Sequence, residues 1–246
     1  MLELTLANVE RHWAGISQQF RVEYQRWITV YSTLLETSGG ILKQFEGRRR
    51  LPENCCYLLL SKAVNHSLSM YTLANRGLLI DAAFSGRNAL ETLLLLQVCT
   101  LDPSEKLFER WANGERFQPI WVRRKLENLS EVRVRGIIVS CPKPDDTYSF
   151  AYKWLSEITH ANVGSTSYSM RPKGEHGYEV IVGGDIRDAQ VMINALFAVV
   201  GSTLLFTGIL CASVFSLEWA EENKEKLSRL QKEIDTISKS YMSKGT

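Results

Sequence analysis

Residues 195–213 read ALFAVVGSTLLFTGILCAS, and the reading of this stretch decides the fold. No charged side chain occurs between Ala189 and Leu217. A helix that is apolar on every side is either a membrane span or the centre of a bundle. Both flanks are acidic, Asp185 and Asp188 before the run and Glu218, Glu221 and Glu222 after it. No Lys/Arg cluster is present to set an orientation across a bilayer. The run also holds Asn194, Ser202, Thr203, Thr207 and Ser213 with Gly201 and Gly208, a composition that suits a helix enclosed by other helices. The favoured expectation is a central bundle helix; the rival is a membrane anchor through 189–217.

Reading outward from this helix, its C-terminal neighbour shows Leu227, Leu230, Ile234, Ile237 and Tyr241 at three–four spacing. On the other side, Asp185 caps the apolar helix, and Ser165–Arg171 with Tyr178–Val182 read as one surface hairpin around 172–177. A helix capped by Asp145 or Asp146 runs to about His160, after a Cys141-Pro142-Lys143-Pro144 loop. Residues 118–132 read as helical, and Ser104 caps a short helix over 105–113. A leucine-dense helix covers about 78–100. Before it, a helix starts near Pro52, since proline suits a first turn, and breaks at Asn75-Arg76-Gly77. At the N-terminus, Leu6, Val9, Trp13, Ile16, Phe20, Tyr24, Trp27, Tyr31 and Leu34 form one stripe over about thirty residues, about 45 Å of helix. Ser38-Gly39-Gly40 interrupts it, and Arg48-Arg49-Arg50 forms a solvated turn.

The expected fold class is therefore all-α, a multi-helix bundle with long N- and C-terminal helices and one small β-hairpin insertion. One domain spans 1–246: the N-terminal helix and linker over 1–50, a core bundle over 51–216 with the hairpin near 165–182, and the C-terminal helix over 217–246. The first and last helices carry narrow apolar seams between charged faces. They pack on each other or across a dimer, so a homodimer or partner protein through these helices is expected.

The totals exclude several classes. Hydrophobic residues at 45% and charged residues at 23% are those of a folded globular chain. A formal net charge of +2 creates no global field for nucleic acid, so any such binding needs a local patch. Five cysteines, Cys55, Cys56, Cys99, Cys141 and Cys211, form no C-x-x-C pair and no metal-ligand spacing with the four histidines. Reduced, buried thiols in a cytoplasmic protein fit this pattern, and no secretory signal opens the sequence. There is no Walker A motif, no G-x-G-x-x-G after a strand, no H-E-x-x-H and no G-x-S-x-G. No metal and no cofactor are expected.

The polar residues that break the apolar pattern mark the candidate site. Arg87 and Glu91 sit four apart on the leucine-rich helix, and Ser156 and His160 four apart on the later one, with Tyr152 a turn before Ser156. If the two helices face each other, the four side chains converge. A histidine there serves as acid or base near neutral pH, and an arginine holds a phosphate and its developing charge. The alternative is structural: the Arg87–Glu91 pair pins two helices, and His160 is a satisfied core or helix-end histidine.

The combination of Arg87-Asn-Ala-Leu-Glu91 with Tyr152-Lys-Trp-Leu-Ser156-Glu-Ile-Thr-His160 resembles a widespread bacterial family of unknown function, whose members resemble the HEPN superfamily of helical bundles. The resemblance covers roughly residues 55–215. It implies a metal-independent RNase of toxin–antitoxin or phage-defence systems, dimeric, with R-x4–6-H motifs from two protomers in one site. His160 matches the motif histidine. The basic residue on its helix is Lys153, with Arg87 available from the neighbouring helix. This sequence departs from the family there, because lysine lacks arginine's planar fork.

A second feature is the basic stretch 110–135, where Arg110, Arg116, Arg123, Arg124, Lys125, Arg133 and Arg135 interleave with Trp111, Phe117 and Trp121. Such a surface suits single-stranded RNA, with Arg123, Arg124 and Lys125 contacting phosphates beside Lys153 and Tyr152. A solvated face with its aromatics turned inward explains the same residues. His66 reads as solvent-facing, within reach of the cluster only if its helix is adjacent; His12 and His176 read as surface residues. Three functional readings follow: an RNA-binding or RNA-cleaving effector, a non-catalytic interaction or scaffold protein, and a membrane-anchored helical protein.

Overall fold

The computed structural model describes residues 5–129, 131–135, 137–140, 155, 170–173, 177–180, 190–218 and 222–242. Among these, the chain forms eight helices: α1 (Leu6–Glu23), α2 (Gln25–Phe45), α3 (Leu51–Asn75), α4 (Leu79–Thr100), α5 (Lys106–Ala112), α6 (Pro119–Glu127), α7 (Gln190–Val214) and α8 (Lys224–Met242). Two antiparallel hairpins accompany them, β1 (Glu131–Val134) with β2 (Ile137–Ser140) and β3 (Met170–Lys173) with β4 (Gly177–Val180). The all-α bundle expected from the sequence is the observed architecture.

The uncharged helix α7 is the centre of this bundle, packed against α2, α3, α4 and α8. Sixteen of its 25 residues are buried. Its buried polar side chains, Asn194 and Thr207, find partners on neighbouring helices, as burial requires. Trp27 of α2 donates its indole N–H to Asn194 Oδ1 at 2.5 Å. Gln97 of α4 donates to Thr207 Oγ1 at 2.8 Å, and Tyr31 donates its hydroxyl to the Phe197 carbonyl at 3.1 Å. The Phe197 ring lies 4.8 Å from Tyr31, 5.9 Å from Trp27 and 6.1 Å from Phe20, so an aromatic cluster from α1 and α2 closes over α7.

Close helix approach rests on glycine. A Cβ on Gly86 of α4 would lie 2.5 Å from Leu196 Cδ1 and 3.0 Å from Met70 Sδ; one on Gly208 would lie 2.9 Å from Ile41 Cδ1. Four free cysteines, Cys55, Cys56, Cys99 and Cys211, are buried in the same core. Thr100 Oγ1 bridges Cys56 Sγ at 3.9 Å and Cys211 Sγ at 3.7 Å. Cys141 lies outside the described residues.

Several boundaries differ from those expected. The N-terminal stripe is two helices, divided at Tyr24, whose φ of −115° and ψ of 24° depart from helical values. The chain runs helically through Ser38-Gly39-Gly40, because Thr37, Ser38 and Ile41 are buried and tertiary packing outweighs the cost of two glycines. Asp102, rather than Ser104 alone, caps α5: its Oδ2 accepts from Leu107 N at 3.0 Å. The helix expected over 118–132 stops at Glu127 and gives way to β1, so a hairpin precedes the one expected near 165–182. Arg48 is no freely solvated turn residue; it donates to Glu53 Oε1 at 3.1 Å and to the Phe215 carbonyl at 3.3 Å.

The C-terminal helix uses its apolar seam within the chain. Leu227, Leu230, Ile234 and Ile237 are buried against α2 and α7, with Arg26–Glu233 at 2.7 Å on the rim. On α1, Ile16 and Phe20 are buried, whereas Leu6 is 72% and Val22 77% exposed.

Candidate functional site

The site is built on the α3–α4 pair. Helix α3 ends in a Schellman turn: Gly77 takes a φ of 76°, Leu78 N donates to the Leu73 carbonyl at 2.9 Å, and Gly77 N to the Ala74 carbonyl at 2.9 Å. Leu79 then starts α4, which returns along α3 and buries Ala82, Ala83, Ala89, Leu90 and Leu93. Small residues and leucines on one side leave Arg87, Asn88 and Glu91 on the half-buried side.

Arg87 Nε donates to Glu91 Oε1 at 2.9 Å. This bond is intrahelical, and the side chains keep 24% and 27% of their surface exposed. The pair thus lies at the boundary between core and solvent, where the desolvation cost of two charges is small beside that of a buried pair. Fixing Nε sets the plane of the guanidinium on the outside of α4.

Of the later helix of the expected cluster, only Leu155 is described; it is helical and fully buried. Tyr152, Lys153, Ser156 and His160 lie outside the described residues, as does His176. The structure therefore brings Arg87 and Glu91 together.

Beside Glu91 opens a cleft of about 190 Å³. Helix α3 contributes Leu59, Lys62 and His66, and α4 contributes Asn88, Glu91 and Thr92. Trp111 of α5, Phe117 and the start of α6 close it with Val122 at its base. His66, expected to face solvent, is half-buried in this cleft, because α3 and α4 are adjacent along their length. Burial, and then the nearby Lys62 ammonium, push the His66 imidazole below the usual histidine range. Asn88 and Lys62 were not singled out by the sequence. Their helical spacing from Glu91 and His66, three and four residues, is the signal that points to them once those two are placed.

The basic–aromatic stretch divides in two. Arg110 sits 5.1 Å over the Phe117 ring and 5.9 Å from the Trp121 ring, and its guanidinium pairs with Glu115. The Glu115 carboxyl is held below its usual range, first by that hydrogen bond. Arg135 covers the Phe215 ring at 4.4 Å and pairs with Glu105. The rings of Trp111, Phe117 and Trp121 are half-buried against the core, and Arg110 and Arg135 stay at the surface, each paired with an acid, as the reading of a solvated face with inward aromatics expects. Arg124 and Lys125 are exposed in the last turn of α6, where the helix dipole favours cations, and Arg123 pairs with Glu127 at 3.1 Å. They share α6 with Val122 of the cleft. His12 is exposed.

Among the described residues no group of three or more His, Cys, Asp or Glu side chains gathers to hold a metal ion. Comparison with protein-family models, with curated proteins and with solved structures finds no match to this chain.

Proposed function

We propose that this protein is a HEPN-like helical effector that binds RNA and cleaves it without a metal, using the face of α4 that carries Arg87 and Glu91. The observation that carries the reading is the Arg87–Glu91 pair, fixed at 2.9 Å within one helix, partly solvent-exposed and beside a cleft. A pair that pinned two helices would run between them, whereas this bond lies within one helix.

In this proposal the RNA 2′-oxygen attacks its own phosphorus while His160 accepts the hydroxyl proton. The bond from phosphorus to the 5′-oxygen breaks, that oxygen takes a proton from water, and the His160 imidazolium returns its proton to solvent, giving a 2′,3′-cyclic phosphate and a 5′-hydroxyl. Arg87 holds the phosphate and the charge that grows on its oxygens, and Glu91 orients Arg87. Ser156 positions His160 or the substrate, and Tyr152 and Lys153 contact the chain. Arg124 and Lys125 reach flanking phosphates. A bacterial stress, toxin–antitoxin or phage-defence role, a cytoplasmic location and a homodimer belong to the same proposal.

The test is degradation of single-stranded RNA by purified protein in EDTA. His160→Ala and Arg87→Ala should abolish it while leaving the melting temperature within a degree or two. Loss of folding in both variants would transfer these residues to a structural role.

The second reading is a non-catalytic interaction protein. In it the 2.9 Å Arg87–Glu91 bond serves the helix alone, as i,i+4 ion pairs on helix surfaces do. The enclosure of α7 by four helices supports a bundle centre rather than a membrane anchor, and resistance of the protein to carbonate extraction from membranes would reverse that.

A further inference from the structure

The cleft between α3, α4 and the start of α6 is lined by polar groups that the fold itself leaves unused. Among the described residues, Lys62 enters no ion pair, and the side chains of His66 and Asn88 make no hydrogen bond. The acid of the cleft, Glu91, is already held by Arg87 at 2.9 Å. The unbalanced charge at the cleft is therefore the Lys62 ammonium, which is exposed at its mouth.

Hydrogen-bonding capacity points the same way. An ammonium only donates, a carboxamide donates from its nitrogen and accepts at its oxygen, and a neutral imidazole does one of each. Burial, and then Lys62, hold His66 below the usual histidine range, so at pH 7 it brings an N–H without a charge. Donors outnumber acceptors, so a fitting guest presents oxygens. A lone ammonium matches a monoanion, whereas a phosphate monoester, close to a dianion at neutral pH, would keep charge unanswered.

The walls and the size set the rest of the guest. Leu59, Leu95 and Val122 line the cleft with the half-buried rings of Trp111 and Phe117, which meet a flat guest by offset or edge contacts. Its volume is about 190 Å³. A dry cavity of about 150 Å³ takes benzene, and sites for drug-sized ligands run to roughly 300–1,000 Å³. One ring with one small substituent fits between these limits.

We infer that this cleft is a binding site for a small aromatic monocarboxylate, a single ring lying among the apolar walls with its carboxylate on Lys62, Asn88 and His66. It does not rest on the RNA reading, since the cleavage proposal uses none of these three residues.

The experiment titrates the full-length protein with benzoate, benzamide, dimethyl phosphate and phenyl phosphate, following each ligand by saturation-transfer NMR. Benzoate should bind with a Kd of about 0.1–1 mM, the range open to a ligand of so few atoms. Benzamide keeps the ring and loses the charge, and dimethyl phosphate keeps the charge and loses the ring. Each should bind at least about fivefold more weakly. Lys62→Ala should weaken benzoate about fivefold and leave benzamide unchanged, with the melting temperature unmoved because Lys62 is exposed. Equal binding of benzamide and benzoate overturns the anion site, and dimethyl phosphate as tight as benzoate overturns the ring. Phenyl phosphate tighter than benzoate overturns the choice of a carboxylate. Benzoate that fails to bind at ten times the expected Kd, or that binds the Lys62→Ala protein equally well, overturns the inference outright. Each of these results leaves the RNA reading standing.

Discussion

Trp27 and Asn194 are 167 positions apart in sequence and joined by a 2.5 Å hydrogen bond in the core, indole N–H to amide oxygen. Asn194 is anchored in turn by its own amide, which donates to the Gln190 carbonyl at 2.6 Å. The bond fixes the rotation of α7 against α2, because both groups are buried and a slipped register would leave each without a partner. Asn194→Ala should destabilise the protein by about 1–3 kcal/mol, the cost of a stranded buried donor. Trp27→Phe on that background should cost less than it does alone. Urea unfolding of the four proteins checks this, and strict additivity would show that the two side chains do not depend on each other.

Gly86 sets the distance between α4 and α7. Alanine there meets Leu196 and Met70 at distances that side chains do not tolerate unmoved. Gly86→Ala should destabilise by about 1–3 kcal/mol from overpacking, offset by up to about 1 kcal/mol of helix propensity. Adding Leu196→Ala should relieve the clash while opening a cavity beside it. A more stable Gly86→Ala protein would mean that the helices part easily.

His66 should make stability sensitive to mild acid. The charged groups lining the cleft around it are Lys62 on its own helix and Glu91 on α4, and its proton affinity is lowered first by burial and then by Lys62. A histidine whose affinity is lowered on folding binds its proton first in the unfolded chain. Its contribution is complete above the ordinary histidine pKa of about 6.5 and is lost as pH falls through that value towards the folded one. Between pH 7.5 and 5.5 the unmodified protein should therefore lose more stability than His66→Gln. The reverse order would mean that Glu91 dominates.

The buried thiols should be inert. Desolvation pushes Cys99 up to about 12 and raises Cys55 and Cys56. Thiolate, the reacting species, is then scarce at pH 8. On a Cys141→Ser background, a thiol reagent should label no cysteine of the folded protein within minutes and four after denaturation. Rapid labelling under native conditions would place a thiol at the surface.

The bundle was legible because its main signals are long-range averages. An uncharged run of more than twenty residues reads as a central helix once acidic flanks make a span unfavourable, and α7 is enclosed on four sides. Breaks were harder to place. Tyr24 interrupts the N-terminal helix from within an apolar stripe, where no breaker residue announces it, while Ser38-Gly39-Gly40 looks like a breaker and is held helical by buried neighbours. The hairpin over Glu131–Val134 and Ile137–Ser140 did leave a trace, the alternation of Val132 and Val134 with charged residues. The charges beside it made a helical surface equally readable. Of the site, Arg87 and Glu91 were legible because charges among leucines are conspicuous. His66 was not, since its surroundings depend on how two antiparallel helices rotate against each other, and Arg110 met its aromatic partners through a fold-back of the chain between α5 and α6.

The position of α7 has a consequence for biosynthesis. Its neighbours α2, α3 and α4 emerge from the ribosome about a hundred residues earlier and can pair with one another, but the parts of their inner faces that α7 covers stay open until residues 190–214 follow. At elongation speeds of roughly 5–20 residues per second, that interval lasts several seconds, far longer than helix formation. Nascent chains arrested before Gln190 should thus be sticky, chaperone-bound and protease-sensitive, and cooperative folding should arrive in one step near the end of translation.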